Sequence, residues 1–328
     1  MSTENKMKQI DNKREKTHKE LKAEWESYKQ PSKLKLEKKV PVFMKLGMVA
    51  PKTFSKGFRK PVDPVLEDTM NNVMKEMCMK IQGCVFAYAA KNELEFVVTD
   101  YHKLNSDAWL DYDLANMQSQ LASLATCLFI KYFEEAKEKF YDEYEGEDKQ
   151  KLYAVYNRAL DESYPLFKAR CFNVPESRVV DMIYYRQREN LRNVVQNYAK
   201  HYMSKGDVVG HTIAEIKDSL REKVGINFDK DIPTAYKHGV ACHKGENPFT
   251  TKTKWGLDME MPMLSWHDAD YLLKIMNTVR HPDEREKAVS LSDVPEIIAY
   301  RGSKDIDVKF SDGSIKNMTY DEFQEILK

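Results

Sequence analysis

Apolar and polar residues alternate through KVPVFMKLGMV, where Val40, Val42, Met44 and Leu46 share one side at period two and predict a strand. The spacing then changes to that of a helix in PVLEDTMNNVMKEMCMKI, with Leu66, Met70, Val73, Met77 and Ile81 on one face. The Met-rich stripe reads most simply as core filling. CVFAYAAKNELEFVVTDY predicts two strands joined by a polar hairpin tip at AAKNE. A long helix follows over roughly Ser106 to Tyr144, with Leu110, Leu114, Met117, Leu121, Leu124 and Leu128 as its inward stripe. GEDKQK reads as a charged loop and CFNVP as a short strand. PESRVVDMIYYRQRENLRN opens a second long helix, in which Ile183, Val194 and Tyr198 pack inward. A short helix between Thr212 and Glu222 and a strand at YKHGVACHK complete this part.

The order β-α-β-β-α-β is the ferredoxin-like pattern, so the fold class is α/β in the α+β sense. Polymerase and cyclase palms share that fold, which by itself fixes no chemistry. The division expected is a charged helical extension over 1–30, a palm over 31–165, a more helical second section over 166–277 and a linker over 278–290. A small β-hairpin module over 291–328 ends the chain, with two alternating strands around Asp312-Gly313 and then a short helix.

Composition adds limits. Of 328 residues, 42% are apolar and 11% aromatic, enough for a real core, and 52 basic residues balance 52 acidic ones. Global charge therefore favours no polyanionic partner, and nucleic-acid binding needs a local basic patch. Lys45, Lys52, Lys56, Arg59 and Lys60 form such a run, readable as a solvated edge or as a phosphate or RNA-backbone surface. Five scattered cysteines without CxxC spacing predict a reducing compartment and no zinc site. The charged N-terminus lacks the apolar stretch of a signal peptide, and no run reaches membrane-spanning length; the expectation is a cytoplasmic protein. His238 and His243, placed on one strand, fall on opposite faces and make no metal pair.

Several segments in order carry a resemblance to the tRNA(His) guanylyltransferase family of 3′–5′ polymerases, in particular its bacterial and phage-type branch. These are VPVFMKLGMVAPKTFSKGF, QGCVFAYAAKNELEFVVTDY, SDAWLDYDLANM, ARCFNVPESRVVDMIYYRQRENLRN, GINFDKDIPTAYKHG and TKWGLDMEMP, within about residues 20 to 277. The resemblance implies nucleotide addition to the 5′ end of a tRNA, with two palm carboxylates holding two Mg²⁺ ions and GTP or ATP as the donor. It also implies dimers or tetramers, with a nucleotide, a tRNA or a protein as partner.

Carried over residue by residue, the first metal-binding Asp falls on Gly47 and the neighbouring Gly on Met48. The second Asp falls on Asn92, the following Glu persists as Glu93, and the preceding Ser is Lys91. An amide oxygen and a backbone oxygen lack the charge that Mg²⁺ requires. Catalytic residues are therefore assigned to none, with Glu93 as the sole candidate metal ligand. Lys45, Gly47, Met48, Lys52, Lys91, Asn92 and Glu93 become nucleotide- or phosphate-binding candidates. Arg170, Arg186, Gln187, Arg192, Asn193, His211 and His238 become tRNA-binding candidates; the acid of one family segment is Lys168 here. Two functions follow: a catalytically degenerate member that retains binding or scaffolding, as in a phage or mobile-element factor, or an active nucleotidyltransferase with relocated ligands. Asp63, Glu95 and Asp100 are the acids available for relocation, and alternation puts only Glu95 on Glu93's side.

Overall fold

The period-two segments pair into one twisted sheet. β1 (Val42–Met48) is flanked by β3 (Glu93–Val98) and β4 (Phe167–Asn173), and β2 (Cys84–Ala90) by β3 and β5 (Val240–Asn247). β6 (Thr250–Asp258) completes the order β4-β1-β3-β2-β5-β6, antiparallel throughout. The first four strands have the ferredoxin-like order that the sequence pattern predicts. This computed structural model describes residues 16–101, 106–247, 250–264, 270–276, 296–301, 305–310, 312, 314–319 and 322. The chain divides into two compact units, Met1–Asn277 and Thr278–Lys328.

In the first unit, α1 (His18–Lys29) is capped by a Thr17–Glu20 box and buries no residue. α2 (Pro64–Lys80) starts at Asp63, whose carboxylate accepts from the Leu66 N–H at 3.1 Å. α3 (Leu114–Glu143) and α2 cover one sheet face, burying Met70, Val73, Met77, Met117, Leu121 and Leu128. Phe54 and Phe58 of the TFSKGF segment belong to this core. Phe54 lies edge-on to Phe129 at 5.3 Å, and Phe58 edge-on to Tyr156 at 5.0 Å. The other face carries Phe43, Phe86, Tyr88 and Val97 under α5 (Val179–Tyr202), which contributes Val179, Val180 and Ile183.

Several boundaries differ from the pattern. α3 begins at Leu114 rather than near Ser106, because Leu110, Asp111 and Tyr112 adopt left-handed φ and Asp113 caps the helix through the Asn116 N–H. The expected charged loop ends at Lys149, where α4 (Lys149–Glu162) starts; its buried Leu152, Tyr156 and Ala159 are a stripe the reading passed over. β4, β5 and β6 share the palm sheet, so the sheet crosses the boundary expected at 165. YKHGVACHK is only half strand: Thr234–His238 is helical and Gly239 turns the chain. Gly239 has φ +84°, and a Cβ there would stand 2.4 Å from the Tyr88 ring. α6 (Ile213–Ser219) is the short helix expected after Thr212, whose side chain caps it; α7 is Asp270–Met276.

The second unit is a three-stranded antiparallel sheet, β7 (Glu296–Arg301), β8 (Asp305–Lys309) and β9 (Ile315–Thr319), rather than a two-stranded hairpin. A register shift between Ile297 and Ala299 breaks the alternation of β7, which hid that strand. The expected linker at 278–290, Gly313 of the turn and nearly all of the terminal helix lie outside the described residues.

Candidate functional site

β1, β3 and β4 bring the resemblance-derived positions to one end of the sheet. Gly47 pairs with Glu93 on one side and Lys168 on the other, while Lys45 pairs with Glu95 and Arg170. All point to the α5 side of the sheet. A Cβ at Gly47 would meet Glu93 Oε1 at 3.5 Å and Lys168 Cε at 3.9 Å, so the space beside it is open to a small side chain. The β2–β3 connection is the two residues Lys91-Asn92, with Lys91 at φ +58° and the Asn92 carbonyl accepting from the Met48 N–H at 3.1 Å. Asn92 Oδ1 is buried with no hydrogen-bond partner.

Arg186 on α5 reaches into this end of the sheet. Its guanidinium bonds Glu95 Oε1 at 2.6 Å through Nε, and it also bonds Glu93 and Glu189. Lys45 Nζ adds a 2.9 Å bond to Glu93 Oε1. Although its partial burial acts the other way, the Lys45 bond and the Arg186 charge hold the Glu93 carboxyl below its ordinary value. Glu95 is fully buried, and burial pushes its carboxyl up to about 7 against the opposing pull of Arg186. Two cations, Lys45 and Arg186, face the three carboxyls Glu93, Glu95 and Glu189. A proton on Glu95 Oε2, the oxygen with no partner, balances the set around neutral pH.

A second concavity lies on the far side of the Lys91-Asn92 turn. It has a volume of about 80 Å³, where about 10–15 Å³ admits one water, and is walled by Arg59, Lys60, Glu67, Lys91, Asn197 and Tyr236. Loss of solvation, then the Lys60, Lys52 and Lys200 ammonium groups, hold Lys91 below the ordinary lysine value. Asp63 also lines it, occupied as the α2 cap and by bonds from the Arg59 N–H and Tyr156 O–H at 2.9 Å each.

The phosphate candidates therefore separate. Lys45 and Glu93 face the Arg186 cluster, Lys91 lines the cavity with the Lys52 charge acting on it from outside, and Met48 is buried in the core. The basic run divides likewise: Arg59 stacks over Tyr144 at 5.0 Å, away from Lys45. Among the relocation candidates, Glu95 joins Glu93 on Arg186, whereas Asp63 is a helix cap and Asp100 accepts from the Lys39 N–H at the other end of β3.

Three of the tRNA candidates need correction. Gln187 is fully buried, donating to Pro262 O at 3.0 Å and accepting from the Leu264 N–H at 2.8 Å, so neither amide atom faces solvent. Arg186 is enclosed, its side chain 11% exposed, and is committed to three carboxyls. His238 is not on a strand: it ends a helical turn, and its Nδ1 lies 3.0 Å from Met261 O. Arg170, Arg192, Asn193 and His211 are exposed, His211 within 3.7 Å of Glu215. Gln187→Ala is expected to lower stability by about 1–3 kcal/mol while leaving retention of labelled tRNA on a filter unchanged, which melts and filter binding would check together.

Sequence reasoning missed Glu67, Asn190 and Lys200 altogether. A signal existed for one: Ile183, Gln187, Asn190 and Val194 follow one helical stripe, so two amides stand among inward positions. Asn190 Nδ2 donates to Tyr236 O at 2.8 Å, joining α5 to the cavity wall. Among the described residues, no group of three or more His, Cys, Asp or Glu is placed to hold a metal ion, and no helix is long and apolar enough to cross a membrane.

Residues 23–175 match the model of a protein family described as tRNAHis guanylyltransferase. Among solved structures, a bacterial tRNA(His) guanylyltransferase (Thg1)-like protein in complex with ATP is similar, with a TM-score of 0.66 and 22% identity over 78% of this chain and 98% of that one. The complex of such a bacterial protein with GTP gives 0.57 and 21% over the same shares. No curated protein matches the chain.

Proposed function

We propose, from the match of residues 23–175 to the model of the tRNAHis guanylyltransferase family, that this chain binds nucleotides or RNA ends on a palm that does not perform two-metal nucleotidyl transfer. The observation that carries this reading is the state of Glu93. The one acid at the three family positions is already neutralised by Lys45 and Arg186. Two divalent ions need several charged oxygens held open for them. Gly47 supplies no side-chain oxygen and Asn92 a neutral, enclosed one, so the residues present do not fit the Mg²⁺ pair of the family.

Binding has independent support. Arg59, Lys60 and Lys91 line the cavity beside the β2–β3 turn, with the Lys52 and Lys200 charges acting on Lys91 from outside it, and ammonium groups hold phosphoryl oxygens without a metal. The relatives of known structure carry ATP and GTP in complexes. Exposed Arg170 and Arg192 provide further contacts for an RNA backbone.

The test is a pair of measurements on the full chain. Labelled GTP, Mg²⁺ and tRNA are expected to give no transfer of label above background. GTP is expected to bind equally with Mg²⁺ or with EDTA, and to weaken steeply with added salt. Transfer that Glu93→Ala abolishes would overturn the reading in favour of an active enzyme with relocated ligands.

A further inference from the structure

One acidic side chain in the cavity is unexplained by anything above. Glu67, on the first turn of α2, is half-buried and lines the cavity opposite the Lys91 turn, with no salt bridge of its own among the described residues. The groups around it come from every wall. Asp63 stands on its own helix, Arg59 and Lys60 precede that helix, and Lys91 tops the β2–β3 turn. Asn197 and Tyr198 come from α5 and Tyr236 from the Thr234–His238 turn. Lys52 and Lys200 act on Lys91 from outside the lining. Asp63 is held by three hydrogen bonds, so Glu67 is the carboxyl in this wall with no such commitment.

We infer that the cavity is a phosphoryl-group pocket in which Glu67 is a proton-controlled wall, admitting an anion when protonated and opposing it when ionised. This rests on the binding reading proposed above and adds which part of the ligand enters and what regulates entry. An 80 Å³ space has room for a phosphoryl or sulfate group. Its rim is cationic, and a neutral Glu67 leaves that field uncancelled while offering an O–H donor. An ionised Glu67 instead pairs with Lys91 and repels the incoming oxygens. Burial, then the neighbouring Asp63 charge, push the Glu67 carboxyl up to about 7, against the pull of Lys91. The change of state therefore falls in the physiological range.

Sulfate is the first probe, because its charge is constant between about pH 6 and about pH 8; GTP is the second. Sulfate affinity of the full chain is expected to fall about tenfold across that range, as one nearby charge in a partly enclosed site implies. In Glu67→Gln the affinity is expected to change less than about twofold and to exceed that of the parent near pH 8. Calorimetry of the parent in two buffers of different ionisation enthalpy should show proton uptake on sulfate binding near pH 7, a readout independent of whether the variant folds. No sulfate or GTP binding at either pH would overturn the binding reading itself. Binding without proton uptake, or a pH dependence that survives Glu67→Gln, would overturn the role of Glu67 alone.

Discussion

Arg186→Ala is expected to destabilise the protein by about 3–5 kcal/mol near pH 8, the usual result of leaving a buried charge without its partner. Among the described residues the guanidinium is the cation that bonds Glu95 directly, Lys45 acting on it only through its charge, and Glu95 is completely buried. Glu93 keeps Lys45 in the variant, and Glu189 is partly exposed and can be solvated. The loss therefore concentrates on Glu95.

Its sign with pH can be worked out. The folded value of Glu95, about 7, already lies above the ordinary glutamate value of 4.5. The folded state thus binds more protons than the unfolded state between those values, and stability falls as pH rises through that window. Removing Arg186 takes away the group that opposes this upward shift, so the window extends to higher pH and its total cost grows. The variant should lose little near pH 5, where Glu95 is neutral in any case, and most near pH 8. Glu95→Gln introduced into Arg186→Ala should restore much of the loss and flatten the dependence. Urea denaturation of the three proteins at both pH values measures all of this. An equal loss at both pH values would mean that Arg186 acts through packing rather than through the Glu95 charge.

The outcome also bears on what could be read without a structure. Alternation in KVPVFMKLGMV and ELEFVV, with two polar residues between ELEFVV and CVFAYAA, was enough to predict β1, β2 and β3 and to put Glu93 and Glu95 on one side. Periodicity carries such information because burial on one sheet face enforces it locally. It carries none about Arg186, which is 93 positions from Glu93 and reaches it only after α5 has packed over the sheet. Gln187 was misassigned for the same reason: a polar residue on a helix looks available until Pro262 and Leu264 close over it. Glu67 sits in an acidic first turn, where a carboxylate normally serves the helix dipole. Only the cavity distinguishes it from that ordinary role. β7 was hidden by its bulge, and the start of α3 by three left-handed residues that no propensity scale anticipates.

Restoring the two missing acids should create a cation site where the parent has none. Gly47→Asp is sterically admissible, because the added Cβ would meet Glu93 at 3.5 Å and Lys168 at 3.9 Å, both ordinary contacts, and Gly47 is not among the positive-φ glycines. Asn92→Asp changes no volume, and it charges a side chain whose buried Oδ1 has no partner. The two new carboxylates would stand next to Glu93, which Lys45 and Arg186 already neutralise, so the added negative charge is left for a divalent ion. Without metal the double variant should melt lower than the parent, from like-charge repulsion and the burial of a charge at position 92. With Mn²⁺ at a hundredfold excess over its dissociation constant, linkage predicts recovery of about 2.7 kcal/mol. The parent should not shift. Lys168→Ala in the double variant should raise Mn²⁺ affinity further, since that ammonium competes for the same oxygens. Thermal melts with Mn²⁺ and with EDTA, beside a direct Mn²⁺ titration, decide the matter. If the parent gains as much from Mn²⁺ as the double variant, its own donors hold the ion and the metal-free palm must be abandoned.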